Sequence, residues 1–207
     1  MKIIAIKSIK SNIVKLILDD NTSYQVSLDS LIKFDLYVDK EITTEELQQI
    51  SMYQAKRELI AKTIELIQVR PRSKKEVEVY LIKKLRRADY ANTLITEIIT
   101  YLEDKAYINE ENFIKWWIAN RNAFKPKSKQ ELIFELSNKG IAKSLIEETL
   151  KSSLSSDDEV SHIKAALSKK FKITTVKGLD IKLQQKFISY FLRKGYNYEL
   201  IRSVIFD

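Results

Sequence analysis

The feature that most restricts the fold of this chain is a repeat. Pro71-Arg72-Ser73-Lys74-Lys75-Glu76-Val77, continuing through Leu81 to Leu85, returns 55 residues later as Pro126-Lys127-Ser128-Lys129-Gln130-Glu131-Leu132, continuing to Leu136 and Lys139-Gly140. After a further 55 residues the apolar half returns as Leu183, Phe187 and Phe191, closing on Lys194-Gly195-Tyr196. A fixed period of this size is the mark of repeated supersecondary units. Within each copy the apolar residues stand four apart, which stacks them on one helical face. Ser73-x-x-Glu76 and Ser128-x-x-Glu131 also have the form of capping boxes, in which each side chain satisfies an otherwise unpaired backbone N–H. Three related helices follow from this, two of them led in by a basic, proline-stiffened segment.

Composition agrees with that scaffold. Only three glycines and two prolines occur in 207 residues, which suits long helices joined by short turns, and an apolar fraction of 44% is ordinary for a folded protein. Cysteine is absent, so thiolate metal sites, disulfides and thiol nucleophiles are excluded, and a reducing cytoplasm is the expected setting. No apolar run approaches the roughly twenty residues needed to cross a bilayer. The opening Met1-Lys2-Ile3-Ile4-Ala5-Ile6-Lys7 lacks the apolar core of a signal peptide. The net charge of +8 is unevenly spread: residues 1–48 hold six lysines and eight carboxylates, and the remaining 159 residues carry a surplus of +10. A basic body of this kind attracts polyanions through long-range steering and counterion release.

In chain order, residues 2–7, 13–18 and 22–28 read as three short strands, with Asp19-Asp20-Asn21 turning between the second and third. A meander this small needs something to pack on. Leu31, Phe34, Leu36 and Val38 suggest a short helix or turn. A long helix should start at Thr43, capped with Glu46, carry Ile50, Tyr53, Ile60, Ile64 and Ile67 on one face, and end before Pro71. The helix from Ser73 and a third near 92–104 complete one unit. The second unit opens at Asn109 as N-cap, carries Phe113, Trp116, Trp117 and Ile118, and its middle helix runs from Ser128 to a left-handed stop at Gly140. The third opens at Ser156 to Glu159, another capping-box arrangement, followed by Ile163, Ala166, Leu167 and Phe171. Its middle helix is capped near Asp180, and 197–206 is the last helix. Leu94-Ile95 lies four residues late against Leu145-Ile146, implying an insertion around Leu85-Asp89. The expected architecture is mainly α: three tandem three-helix repeats (43–108, 109–154, 155–207) in an elongated, curved array, with a three-stranded β appendage at 1–42.

Tyr107-Ile108-Asn109-Glu110-Glu111-Asn112-Phe113, then Trp117 and Arg121, then Lys127 to Leu136 and Lys139-Gly140-Ile141 resemble the RecX family, regulators of the RecA recombinase. Arg70-Pro71-Arg72-Ser73 with Glu76-Val77 resembles the first-repeat form of the lead-in, and the N-terminal strands are similar to the extension of longer members. Two departures stand out: Asn109 replaces the first of two acidic residues, and Ala106 stands where a glycine is usual. The resemblance implies a non-enzymatic regulator acting in DNA repair, recombination and the SOS response. It would bind the groove of the RecA–single-stranded DNA filament and inhibit recombinase, ATPase and co-protease activities. The implied partners are the RecA filament and single-stranded DNA, with duplex DNA left open; no cofactor, metal or membrane is implied, and a monomer is expected.

The residues that could make such contacts fall into three basic clusters. The densest is Arg70, Arg72, Lys74, Lys75, Lys83, Lys84, Arg86 and Arg87, set against only Glu76 and Glu78. The second is Arg121, Lys125, Lys127 and Lys129; the third is Lys169, Lys170, Lys172 and Lys177. Recurrence in successive repeats would suit an extended anionic partner. The alternative for each cluster is an ordinary solvated helix face. The adjacent tryptophans point about 100° apart on a helix, which favours a structural role over base stacking. Nothing resembles a phosphate-cradling glycine loop, and His162 beside Asp157-Asp158-Glu159 is better explained as a helix-cap neighbourhood than as a metal ligand. A RecA-independent nucleic-acid binder such as a repressor is the second reading, and a scaffold for an acidic protein the third.

Overall fold

In a computed structural model, which describes residues 1–85, 91–173 and 179–206, the chain opens with a three-stranded antiparallel sheet. β1 (Ile3–Lys10), β2 (Ile13–Leu18) and β3 (Ser23–Ser27) lie in sequence order. Leu18 pairs with Ile3, and Val14 stands opposite Val26. Asn21, at φ +64°, makes the tight turn into β3, and Asp20 holds it by accepting from the Thr22 N–H at 2.9 Å. The alternation of β2 turns Val14, Leu16 and Leu18 to one side, and with Ile3 and Val26 they pack on Leu36, Ile42, Leu47 and Ile50. The support that the meander requires is therefore the segment after it and the first two turns of the next long helix.

That segment contains α1 (Leu28–Lys33), and the long helix is α2 (Thr44–Val69). Thr43 caps α2 with a complete capping box: its hydroxyl accepts from the Glu46 N–H at 3.1 Å, and Glu46 accepts from the Thr43 N–H at 2.9 Å. Arg70, extended ahead of Pro71, ends the helix as expected. The buried line on α2 runs through Leu47, Ile50, Leu59 and Thr63, while Tyr53, Ile60, Ile64 and Ile67 are only half-buried. The expected face therefore holds at Ile50 and shifts by one residue further on, to Leu59 and Thr63, where Thr63 buries its hydroxyl by donating to the Leu59 carbonyl at 2.6 Å.

α3 (Lys74–Lys84) and α4 (Ala91–Asp104) follow. The inferred insertion around Leu85-Asp89 lies, apart from Leu85 itself, outside the described residues. By contacts the chain divides into two compact units, residues 1–70 with 80–107, and residues 71–79 with 108–207. In the second unit α5 (Glu110–Phe124), α6 (Lys129–Asn138) and α7 (Lys143–Ser153) enclose one core around Phe113, Ile114, Leu132, Leu136 and Ile146. α8 (Ser156–Phe171), α9 (Ile181–Arg193) and α10 (Tyr198–Phe206) enclose another around Ile163, Leu167, Phe187, Phe191 and Ile201. The protein is mainly helical with one small antiparallel sheet.

Local signals set most helix ends. Asn109 caps α5 by accepting from the Asn112 N–H at 2.8 Å. α8 is capped one residue earlier than its sequence suggests, by Ser155 with Asp158 in a complete capping box. Glu159 is thereby released from capping and turns to Lys129 of the preceding repeat. The middle helices α6 and α9 end alike: the N–H groups of Gly140 and Ile141 bond back to Ser137 and Leu136, and those of Gly195 and Tyr196 to Leu192 and Phe191. Both glycines have φ above +80°, the left-handed stop of a Schellman motif. Ala106 adopts the same conformation at φ +56° with the same pair of bonds. A left-handed position of this kind favours glycine.

Candidate functional site

The repeated motif proves to be two halves of one joint. Ser73 is fully buried; its hydroxyl accepts from the Glu76 N–H at 3.3 Å and donates to the Lys139 carbonyl at 2.8 Å. Ser128, equally buried, accepts from the Glu131 N–H at 3.1 Å and donates to the Lys194 carbonyl at 2.5 Å. Glu76 accepts from Lys139 Nζ at 2.8 Å, and Glu131 from Lys194 Nζ at 3.0 Å. A hydroxyl with both its donor and its acceptor engaged can be buried without loss. So the serine–glutamate start of one middle helix clasps the lysine–glycine end of the next, twice, at the same spacing.

The glycines permit that approach. A Cβ on Gly140 would stand 2.8 Å from Lys75 Cβ, and one on Gly195 would stand 2.7 Å from Gln130 Cβ. Leu183, which continues the apolar repeat in sequence, occupies the position of the two serines and is 39% exposed, while Lys186 replaces the glutamate. Leu85 occupies the glycine position of the first copy. The clasp therefore exists twice, and the third repeat carries no serine half to extend it.

This network shows which cations are already neutralised. Arg121 donates from Nε to Glu135 at 2.7 Å, and its guanidinium lies over the Trp117 ring at 4.7 Å. Trp117 donates its indole N–H to the same carboxylate at 2.9 Å, and both tryptophans pack against Phe113. Lys127, with a side chain only 16% exposed, is paired with Glu131 at 3.1 Å and Glu135 at 3.6 Å. Lys129 pairs with Glu159 at 3.3 Å, and Lys75 donates to the Asn138 carbonyl at 3.3 Å. Arg121 and Lys127 are thus paired within the second repeat, while Lys129 and Lys75 reach across to a neighbouring one, so none of the four is freely displayed.

Other members of the clusters face water. Lys83 and Lys84 are exposed on α3, with Lys84 Nζ 5.6 Å from the Tyr80 ring. Arg70, Arg72 and Lys74 are half-buried and engaged by neighbours. Lys172 is an exposed left-handed cap of α8. Arg86, Arg87 and Lys177 lie outside the described residues. Lys125, Lys169 and Lys170 are exposed, and they meet: they open onto one cavity of about 330 Å³ between the second and third repeats. Lys127 and Lys194 line the same space, so the structure joins parts of two clusters that are about 40 residues apart in sequence. The floor and walls include Ala165, Ala166, Tyr190 and Phe191, and Phe124 stands at the edge with 82% of its surface exposed.

The cavity also holds groups that the basic clusters did not announce. His162 and Glu131 line it. Burial lowers the His162 pKa, with Asp158 and Glu159 working in the opposite direction, so the ring is neutral at pH 7. For Glu131, burial acts to raise the pKa, but hydrogen bonds from Lys194 and Lys127 outweigh it and hold the carboxyl below its ordinary value of 4.5. Lys194 responds as the partner should, raised above 10.5 by its bond to Glu131. A carboxylate whose folded pKa is depressed contributes stability above its unfolded value and loses it as pH falls through the folded one. The clasp should therefore weaken below about pH 4.5, and Glu131→Gln should flatten that acid loss. Urea midpoints of the two proteins across this range would check it; parallel acid slopes would count against the clasp. Among the described residues, no group of His, Cys, Asp and Glu is gathered to hold a metal, and no helix is long and apolar enough to cross a membrane.

Comparison with known proteins follows the same repeats. The model for the second three-helix domain of RecX matches residues 109–150, and that for the third matches 157–205. The regulatory protein RecX of Bacillus licheniformis is 29% identical over 195 residues, covering 93% of this chain and 71% of that protein. The chain is similar to RecX regulatory proteins over nine-tenths of its length. RecX of Bacillus subtilis is likewise 29% identical over 192 residues, with 91% and 69% covered, and RecX of Clostridium beijerinckii is 27% identical with 93% and 87% covered. The fold agrees with a crystal structure of regulatory protein RecX at a TM-score of 0.76 and 18% identity, covering 99% of this chain and 98% of that one. RecX from Lactobacillus salivarius gives 0.60 at 21% identity, covering 74% and 96%. In this chain the clasp residues Ser128, Glu131 and Gly140 fall within the matched second domain, and Lys194 and Gly195 within the third.

Proposed function

We propose that this protein binds the RecA–single-stranded DNA filament and inhibits its recombinase and ATPase activities, so moderating DNA repair and the SOS response. The observation that carries this reading is the meeting of Lys125, Lys169 and Lys170 from successive repeats, in a family of regulatory proteins named for RecX. Among the described residues, Lys125 and Lys169 have no carboxylate at ion-pair distance, so their charge is available to an anionic partner. Inhibition would then follow from occupying filament or strand surface that recombination needs, with no chemical step. Lys83 and Lys84 on α3, with Arg86 and Arg87, form the second candidate contact.

The test is cosedimentation with RecA filaments beside ATPase and strand-exchange assays; failure to bind, or binding without effect on either activity, would overturn the reading. Reversing Lys125, Lys169 and Lys170 to Glu should weaken filament binding by tenfold or more. It should also flatten the salt dependence by about 0.7 in log–log slope for each phosphate the lysines no longer neutralise. The same reversal at Lys83, Lys84, Arg86 and Arg87 tests the other cluster, and unchanged binding would remove it from the interface. Selective retention of one duplex sequence without RecA would favour a repressor instead.

A further inference from the structure

The cavity between the second and third repeats has a composition that lysine clusters alone do not require. Its volume of about 330 Å³ lies at the small end of sites that take a discrete ligand, roughly 300–1,000 Å³. The lining combines apolar Ala165, Ala166 and Phe191 with exposed lysines at its mouth. Phe124 projects at that mouth with its ring almost wholly in water, an exposure that a large aromatic side chain rarely has without a partner. Tyr190 is already engaged: Lys170 lies 4.2 Å over its ring and 3.1 Å from its hydroxyl. That leaves Phe124 as the ring free to stack.

Exposure and charge together decide among ligands. An acidic peptide would use the lysines and leave the Phe124 ring in water, and an apolar side chain would cover the ring and leave the lysines unused. A nucleobase supplies a face to stack on Phe124 and a flanking phosphate for the lysines. We propose that this cavity receives one unstacked base of a single-stranded nucleic acid, with the neighbouring phosphates held by Lys125 and Lys169. The proposal rests on the strand-binding part of the function above and assigns it a base pocket as well as a charged surface.

The experiment uses the full chain without RecA, so its outcome is separate from that of the filament assays. Binding of a fluorescein-labelled oligothymidylate is compared with that of an abasic strand of equal length and charge. Loss of one stacked base should cost roughly five- to a hundredfold in affinity. Phe124→Ala, at a site too exposed to matter for folding, should lose most of the preference for the base-bearing strand. Ala166→Trp, which fills the floor, should lose it too, and both variants should keep the salt dependence of the parent. Equal affinity of the parent for the two strands would overturn the proposal, as would full preference in both variants. Displacement of oligothymidylate by polyglutamate, with no preference over the abasic strand, would assign the surface to acidic peptides instead.

Discussion

Gly140→Val should destabilise the protein by about 2–5 kcal/mol, the sum of two separate costs. A β-branched residue held at φ +86° pays at least the roughly 1–2 kcal/mol of the left-handed region. The new Cβ also meets Lys75 Cβ at 2.8 Å, an atom anchored to the α3 backbone that cannot swing aside as a side-chain tip would. Relieving such an overlap costs about 1–3 kcal/mol more. Gly195→Val should behave alike, since its Cβ meets Gln130 Cβ at 2.7 Å at φ +81°. The clasp makes a further demand, because separating α3 from Gly140 would also strain the Ser73 bond to the Lys139 carbonyl. Urea denaturation gives the measurement: a loss under about 1 kcal/mol in both variants would show that the close approach is not required. Gly140→Ala, with one methyl group, should fall between them and the parent.

Phe113→Ala should cost about 3–5 kcal/mol and should also disturb the polar network above it. Phe113 is fully buried, with ring centroids 5.9 Å from Trp116 and 5.7 Å from Trp117. Its removal leaves a cavity beneath both indoles. Trp117 is tied to Glu135, which also accepts from Arg121, so an indole that settles into the cavity must lengthen or break that bond. Both tryptophans of the chain sit on this one ring, so their emission reports the change directly. The expected result is a red-shifted emission together with the stability loss; an unchanged spectrum would mean the indoles are held by other contacts. Phe134→Ala, at a site 69% exposed on α6, is the control and should stay within about 0.5 kcal/mol of the parent.

Much of the secondary structure was legible because its signals are local. Thr43 with Glu46, Asn109 and Ser128 with Glu131 are caps whose partners lie three residues away, and each forms as its spacing implies. The misplacements have local causes as well. Ser155 and Ser156 are both able caps, and the structure uses the first, which leaves Glu159 to pair with Lys129. On α2, threonine at position 63 buries as deeply as an aliphatic residue once its hydroxyl is turned back to the Leu59 carbonyl. The basic clusters were visible as sums of charge, but charge in a sequence does not say which cations have partners. Arg121, Lys127 and Lys129 meet carboxylates 4 to 30 residues away, whereas among the described residues Lys125 and Lys169 do not.

The sequence by itself determined three-helix repeats at a period of 55, their caps, their glycine stops and a cationic surplus, because each depends on backbone bonds or side-chain spacing within a few residues. It also contained both halves of the clasp, as Ser-x-x-Glu and Lys-Gly, and the 55-residue spacing of each. It did not show that they meet. Ser73 finds Lys139 and Ser128 finds Lys194 across 66 residues, and the cavity brings Lys125 to Lys169 in the same way. Which surfaces come within hydrogen-bond reach depends on how whole helices pack, and that is a property of the assembled cores around Phe113 and Phe187. Packing left some lysines neutralised inside the joint and others open to a partner.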